Sequence, residues 1–164
     1  MEYFSAIHAA LFEEGRAAEA ETLALAAAEQ FAEEQQADNE AWARTLLAEA
    51  RVAQGRVAEG LRESIEASLE RLHMRHVDLY LCHDIDEETP LEETLWTLDG
   101  LVREGKCHYW GVSNWPLAWI ERALELCRDR GLCPPVADES QYNLLNREVM
   151  DHHVEAVTAA GLGL

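Results

Sequence analysis

The sequence predicts an α/β protein in which an all-α region of helical hairpins precedes about three parallel strands with helices between them. Three observations predict this. The first 60 residues are free of proline and hold 18 alanines, with apolar positions at helical spacing. From about residue 77, short β-prone runs alternate with helical stretches of 13 to 15 residues, the pattern of βαβ units and a parallel sheet. Polar residues then recur at the end of each predicted strand, 26 to 30 residues apart.

In the first half, Phe4, Ile7 and Leu11 share a helical face, while Gly15 and Gly55 interrupt the pattern. Gln35–Asn39 reads as a loop with Asp38 or Asn39 as N-cap. The expected helices lie near 2–14, 17–34, 40–54 and 57–73. Gly15-Arg16-x-Ala18-Glu19 returns 40 residues later as Gly55-Arg56-x-Ala58-Glu59, and Ala27 matches Ala67. A glycine turn before small residues lets two helices pack closely antiparallel. This resembles tetratricopeptide-type hairpins, although their usual period is about 34 residues. Generic alanine-rich hairpins are the alternative.

In the second half, Val77–Cys82 is β-prone and is followed by an acidic loop and Thr89-Pro90. Residues 91–104 are helical in period, 108–112 form a second strand and 116–130 a second helix. Residues 136–139 form a third strand, and 146–159 a final helix. His83 closes the first strand, Ser113-Asn114 the second and Asp138-Glu139 the third. In a βα barrel, the C-terminal strand ends form the active-site face. A single histidine after a strand is commonly structural; two companions in register make the row a candidate site.

Composition narrows the function classes. Thirty-two acids against 13 bases give a net charge of -19, and Lys106 is the only lysine. Such a chain has no general attraction for nucleic acids or anionic membrane surfaces, and neither is expected as a partner. Four cysteines without a C-x-x-C pair suggest reduced thiols. No signal-peptide pattern and no membrane-length apolar run is present, so a cytoplasmic protein is expected. His152-His153 reads as an exposed helix pair, and Asp84, Asp86, Glu87 and Glu88 as a solvated turn. Neither is expected to bind metal.

Six blocks carry a family resemblance: Glu66-Ala67-Ser68-Leu69-Glu70-Arg71-Leu72; Val77-Asp78-Leu79-Tyr80-Leu81-Cys82-His83; Thr89-Pro90-Leu91-Glu92-Glu93-Thr94-Leu95; Leu101-Val102-Arg103-Glu104-Gly105-Lys106; Gly111-Val112-Ser113-Asn114-Trp115; and Gln141-Tyr142-Asn143-Leu144-Leu145-Asn146-Arg147-Glu148. In this order and spacing, residues 61–164 resemble the middle of an aldo-keto reductase. These are (β/α)8-barrel oxidoreductases that use NADPH to reduce carbonyls to alcohols by hydride transfer. The resemblance implies a partial (β/α)8 TIM-barrel segment over 61–164, preceded by a helical region over 1–60.

By position, the resemblance makes His83 the catalytic histidine that orients and polarises the substrate carbonyl. It makes Ser113 and Asn114 the pair that hydrogen-bonds the nicotinamide carboxamide of NADP(H). Glu139 stands where the family places a cofactor-binding glutamine, and an ionised glutamate only accepts hydrogen bonds. The family's proton donor is a tyrosine tuned by a lysine paired to an aspartate. Its region corresponds here to the alanine-rich half, which has no lysine. Lys106 matches a Gly-Lys turn at the opposite barrel end, no motif makes Tyr3 or Tyr80 the acid, and Tyr142 is not the family's stacking tyrosine. Ala160–Leu164 falls where the family enters strand seven.

The expectation is therefore an incomplete reductase fragment without activity of its own. The alternative is a helical interaction module joined to a non-catalytic reductase remnant, arising by fusion, truncation or recombination. A protein partner would dock through the N-terminal helices, and exposed strand edges would favour a homo-oligomer.

Overall fold

Three helix starts in the first half share one backbone turn. Gly15, Gln35 and Gly55 take φ of 63°, 58° and 73°, a region that glycine enters without strain. The residues after them, Arg16, Gln36 and Arg56, have φ of -94°, -96° and -96° with ψ of 60°, 69° and 55°. Each turn launches a helix: α2 (Ala17–Glu33), α3 (Ala37–Val52) and α4 (Val57–Leu72), after α1 (Glu2–His8) and a wider π turn over Ala9–Glu13. The 40-residue repeat is thus present in the backbone. Its two copies also share an Arg16–Glu19 and an Arg56–Glu59 ion pair, and Ala27 and Ala67 are both fully buried.

The computed structural model describes residues 2–13, 15–83, 85, 89–145, 147 and 153–164, excepting the side chains of 2, 3, 12 and 13. Contacts divide the chain into two compact units, Met1–Arg75 and His76–Leu164. The stretch resembling a reductase from residue 61 begins inside α4, in the first unit.

In that unit, Arg51 near the end of α3 reaches Glu21 near the start of α2 at 3.2 Å. Arg71 at the end of α4 donates to the Ala41 carbonyl near the start of α3 at 3.3 Å. Successive helices therefore run antiparallel. Ile7, Ala20, Ala24, Ala27, Phe31, Ala43, Leu47 and Ala50 fill the core, and Phe4 stacks on Phe31 at 5.6 Å. A Cβ on Gly60 would lie 2.5 Å from Val52 Cγ2 and 2.9 Å from Ala48 O, so the α3–α4 crossing admits only glycine.

Two local expectations change. Helix α3 starts at Ala37, inside the expected loop, and Gln36 rather than Asp38 or Asn39 is its N-cap residue. Asp38 and Glu40 instead occupy the first turn, where the helix dipole favours negative charge. The regular α-helix of the first segment ends at His8, and the π turn carries the chain on to Glu13.

The second unit alternates strand and helix: β1 (Val77–Cys82), α5 (Leu91–Arg103), β2 (Cys107–Ser113), α6 (Leu117–Arg130), β3 (Asp138–Glu139) and α7 (His153–Ala159). The strands form one parallel sheet in the order β1-β2-β3, which fits a partial (β/α)8 segment. The third strand is shorter than expected, although Val136 N–H still bonds Trp110 O and Val112 N–H bonds Ala137 O, each at 2.9 Å. Beyond β3, Gly163 bridges Ala137 in parallel. Of the final helix expected over 146–159, residues 146 and 148–152 lie outside the described residues.

Leu95, Leu98 and Leu101 of α5, Ile120 and Ala123 of α6 and Val157 of α7 are buried, and α5 packs on β2 and on α6. Trp110 and Val112 leave one side of β2 and are fully buried. Leu79 and Tyr109, register partners on the other side, are 41% and 58% exposed. A parallel sheet is usually covered on both faces; here the Leu79–Tyr109 face is open.

Candidate functional site

The predicted polar residues fall on one level across the sheet. Cys82, the last paired residue of β1, is the register partner of Val112. His83 follows Cys82, Ser113 follows Val112, and Ser113 pairs with Glu139. Ser113 and Glu139, as partners, leave the sheet on the side of the open Leu79–Tyr109 face. Ser113 is buried, while His83, Asn114 and Glu139 are exposed.

Hydrogen bonds tie β2 to β3 at this level. Ser113 Oγ donates to the Glu139 carbonyl at 2.9 Å, and Asn114 Nδ2 donates to Ser113 Oγ at 3.2 Å. Asn114 Oδ1 accepts the Gln141 N–H at 3.0 Å. These bonds hold Asn114 in the left-handed region, with φ of 57°, a conformation that asparagine tolerates better than most side chains.

Asp138 lies on the opposite side of the sheet, as register partner of Val112. Its buried carboxylate meets His153 Nε2 at 2.5 Å and accepts from Ser140 Oγ at 2.8 Å. Ser140 Oγ also lies 3.2 Å from His153 Nε2. The sequence reading missed Ser140 and placed His153 in an exposed pair. In the structure the His153 side chain is only 16% exposed, because Asp138 draws it against the sheet. His152 and the acidic residues Asp84, Asp86, Glu87 and Glu88 lie outside the described residues. Among the described residues, no three His, Cys, Asp or Glu side chains are grouped to hold a metal ion.

Lys106 sits at the other end of the strands. Its carbonyl accepts the N–H of Val77, the first residue of β1, at 3.1 Å, whereas His83 follows the last. Six extended residues separate the two ends by about 20 Å. Tyr142 is 54% exposed, Tyr80 lies within β1, and the Tyr3 side chain lies outside the described residues.

The sequence from residue 18 to 164 matches the aldo/keto reductase family. The chain belongs to that family. This family match takes in α2–α4 as well, and gives the tetratricopeptide likeness of the hairpins no support. Among curated proteins, the chain is 40% identical over 86 residues to a protein of Schizosaccharomyces pombe, covering 52% of this chain and 25% of that one. It is 35% identical over 109 residues to one of Oryza sativa subsp. japonica, covering 66% and 32%. Both carry the provisional name of voltage-gated potassium channel subunit beta. The chain thus spans about a quarter to a third of the length of these relatives.

As an aldo/keto reductase segment, the row can be tested for its fit to a nicotinamide amide. A primary carboxamide presents one acceptor oxygen and an NH2. The Ser113 hydroxyl proton is committed to Glu139 O. Asn114 Nδ2 commits one N–H to Ser113 and retains a second for an amide oxygen. The exposed Glu139 carboxylate is an acceptor for the NH2. One donor and one acceptor thus stand on this level, and the set is complementary to an amide even with glutamate at position 139. No helix of the described residues is long and apolar enough to cross a membrane.

Proposed function

We propose that His83, Ser113, Asn114 and Glu139 form part of an aldo/keto reductase site. In this reading Asn114 and Glu139 engage the nicotinamide amide of NADP(H), Ser113 holds both of them in place through its hydroxyl, and His83 orients and polarises a substrate carbonyl. NADP(H), when bound, supplies the hydride. The chain alone turns over no carbonyl. The observation that carries this last point is the position of Lys106. The family's donor tyrosine depends on a nearby cation to release its proton, since a phenol titrates near pH 10. The only lysine of this chain lies in the turn before β2, at the strand end away from His83.

The test is NADPH oxidation by the purified chain with a simple aldehyde, together with melting in the presence of NADPH. No carbonyl-dependent rate above background and little change in Tm are expected. Turnover that disappears in His83→Ala would overturn the reading.

The names of the relatives favour a second reading, that of a subunit working in an assembly. In it, residues 1–60 act as a separate helical module for a protein partner, with the half-exposed Trp42 on its surface, and residues 61–164 are the reductase remnant. Gly163 pairs with the outer edge of β3, so it is the outer edge of β1 that supports a homo-oligomer, and four free cysteines support a reducing, cytoplasmic setting. Capture of a defined partner that survives deletion of residues 1–56 would remove this reading. A monomer in light scattering would remove the homo-oligomer.

A further inference from the structure

We infer that His153 is a positioning residue that braces, from the rear of the sheet, the strand end carrying Glu139. This inference rests on reading Ser113, Asn114 and Glu139 as an amide site. Its geometry is independent of any ligand. Asp138 and Ser140 flank Glu139, and both meet one ring nitrogen, His153 Nε2, at 2.5 Å and 3.2 Å. Two acceptors do not approach to 2.5 Å, so a proton lies between them, and in this proposal Nε2 carries it and donates to the carboxylate. Ser140 closes the triangle by donating to the same Asp138 oxygen at 2.8 Å.

The consequence for Glu139 is geometric. Alternate residues of a strand leave on opposite sides. Fixing positions 138 and 140 to one imidazole at the back therefore turns the Glu139 side chain to the front, towards Ser113. From the front, Ser113 Oγ holds the Glu139 carbonyl and Asn114 Oδ1 holds the Gln141 N–H. Residues 138–141 are thus gripped from both sides of the sheet. The brace is also well shielded: the Asp138 side chain is 0% exposed, and its second oxygen has no hydrogen-bond partner among the described residues. His153 and Ser140 therefore carry its compensation, and loss of the imidazole leaves a buried carboxylate short of a donor.

The experiment compares amide hydrogen exchange in the full chain with His153→Ala and His153→Gln variants, read by NMR at single residues. The Gln141 N–H, which bonds to Asn114 and not to His153, is the reporter; the Tyr109 and Gly111 amides of β2, register partners of Leu79 and Leu81 in β1, are the controls. In His153→Ala, the Gln141 amide exchanges about two- to tenfold faster, the worth of one hydrogen bond, and the β2 controls are unchanged. Glutamine, which keeps an N–H donor, restores most of the protection. Unchanged Gln141 exchange in His153→Ala, or equal acceleration at Gln141 and the controls, overturns the brace. Failure of glutamine to rescue also overturns it, since the role is then not that of a donor. Nicotinamide added to the wild-type chain, followed by saturation transfer, tests the amide site separately. Absence of transfer removes that reading and leaves the exchange result to judge the brace.

Discussion

Asp99 of α5 reaches across to the loop before β3 and accepts the backbone N–H of Cys133 at 2.9 Å. Its other oxygen takes Arg103 Nε at 2.6 Å, and Arg103 continues to the Gly131 carbonyl at 3.2 Å. From the sheet, Trp110 Nε1 donates to Cys133 O at 2.8 Å. One carboxylate thus sets where the chain re-enters the sheet.

The titration of Asp99 makes this clamp acid-sensitive. Burial pushes its carboxyl up, but hydrogen bonds from Arg103 and from the Cys133 backbone and thiol outweigh it, and the net shift is downward. A carboxylate lowered in the folded state stabilises the fold above its unfolded value, about 3.9, and that contribution is lost as pH falls through the folded value. Urea titrations from pH 7 to pH 3 will show a steeper acid loss for wild type than for Asp99→Asn. At pH 7, Asp99→Ala costs about 1–3 kcal/mol through the stranded Cys133 N–H.

Gly111 marks the tightest approach in the sheet. A Cβ there would lie 2.6 Å from Ala137 O and 2.9 Å from Leu81 Cδ2. The leucine methyl can turn aside, but the carbonyl belongs to the β2–β3 ladder. Gly111→Ala will lower stability by about 1–3 kcal/mol, as overpacking does, read by chemical denaturation. An unchanged midpoint would mean that β3 shifts freely.

In the helical unit, Glu21 accepts from Gln54 Nε2 at 2.9 Å, Arg51 Nε at 3.2 Å and Arg56 Nη1 at 2.7 Å. These bonds, that of Gln54 first, hold its carboxyl below the usual range against burial. Because the site is partly wet, Glu21→Ala is expected to cost at most about 1 kcal/mol. A double-mutant cycle with Arg51→Ala will return a coupling that shrinks with added salt.

The thiols sort by environment. Burial, then the charges of Asp99 and Cys133, push Cys127 up to about 11, and burial raises Cys107 as well. Iodoacetamide at pH 8 will leave both largely unmodified in the folded chain and label both in urea, as read by mass spectrometry. Rapid native labelling of Cys127 would contradict its burial.

Much of this architecture is legible in the residues because local chemistry and tertiary role agree. Val77–Cys82 combines β-branched and aromatic residues, and it is a strand. Gly15 and Gly55 announce left-handed turns. Gln35 makes the same turn without glycine, so the start of α3 was hidden behind the stronger capping signals of Asp38 and Asn39. His83, Ser113 and Glu139 were visible as a row because the βα spacing is regular. His153 was not, since its meaning comes from Asp138, 15 residues away, and its neighbour His152 suggested a surface pair. Ser140 was hidden for the same reason: a short polar side chain after a strand has no signature until the fold supplies its partner.

The recurring turn at positions 15, 35 and 55 has a consequence for remodelling. Because Gly15-Arg16 and Gly55-Arg56 match in backbone angles, the chain has two equivalent splice points separated by one complete hairpin. Joining Gly15 directly to Arg56 would excise α2 and α3 while preserving the turn, the ion pair and the buried alanine of the helix that follows.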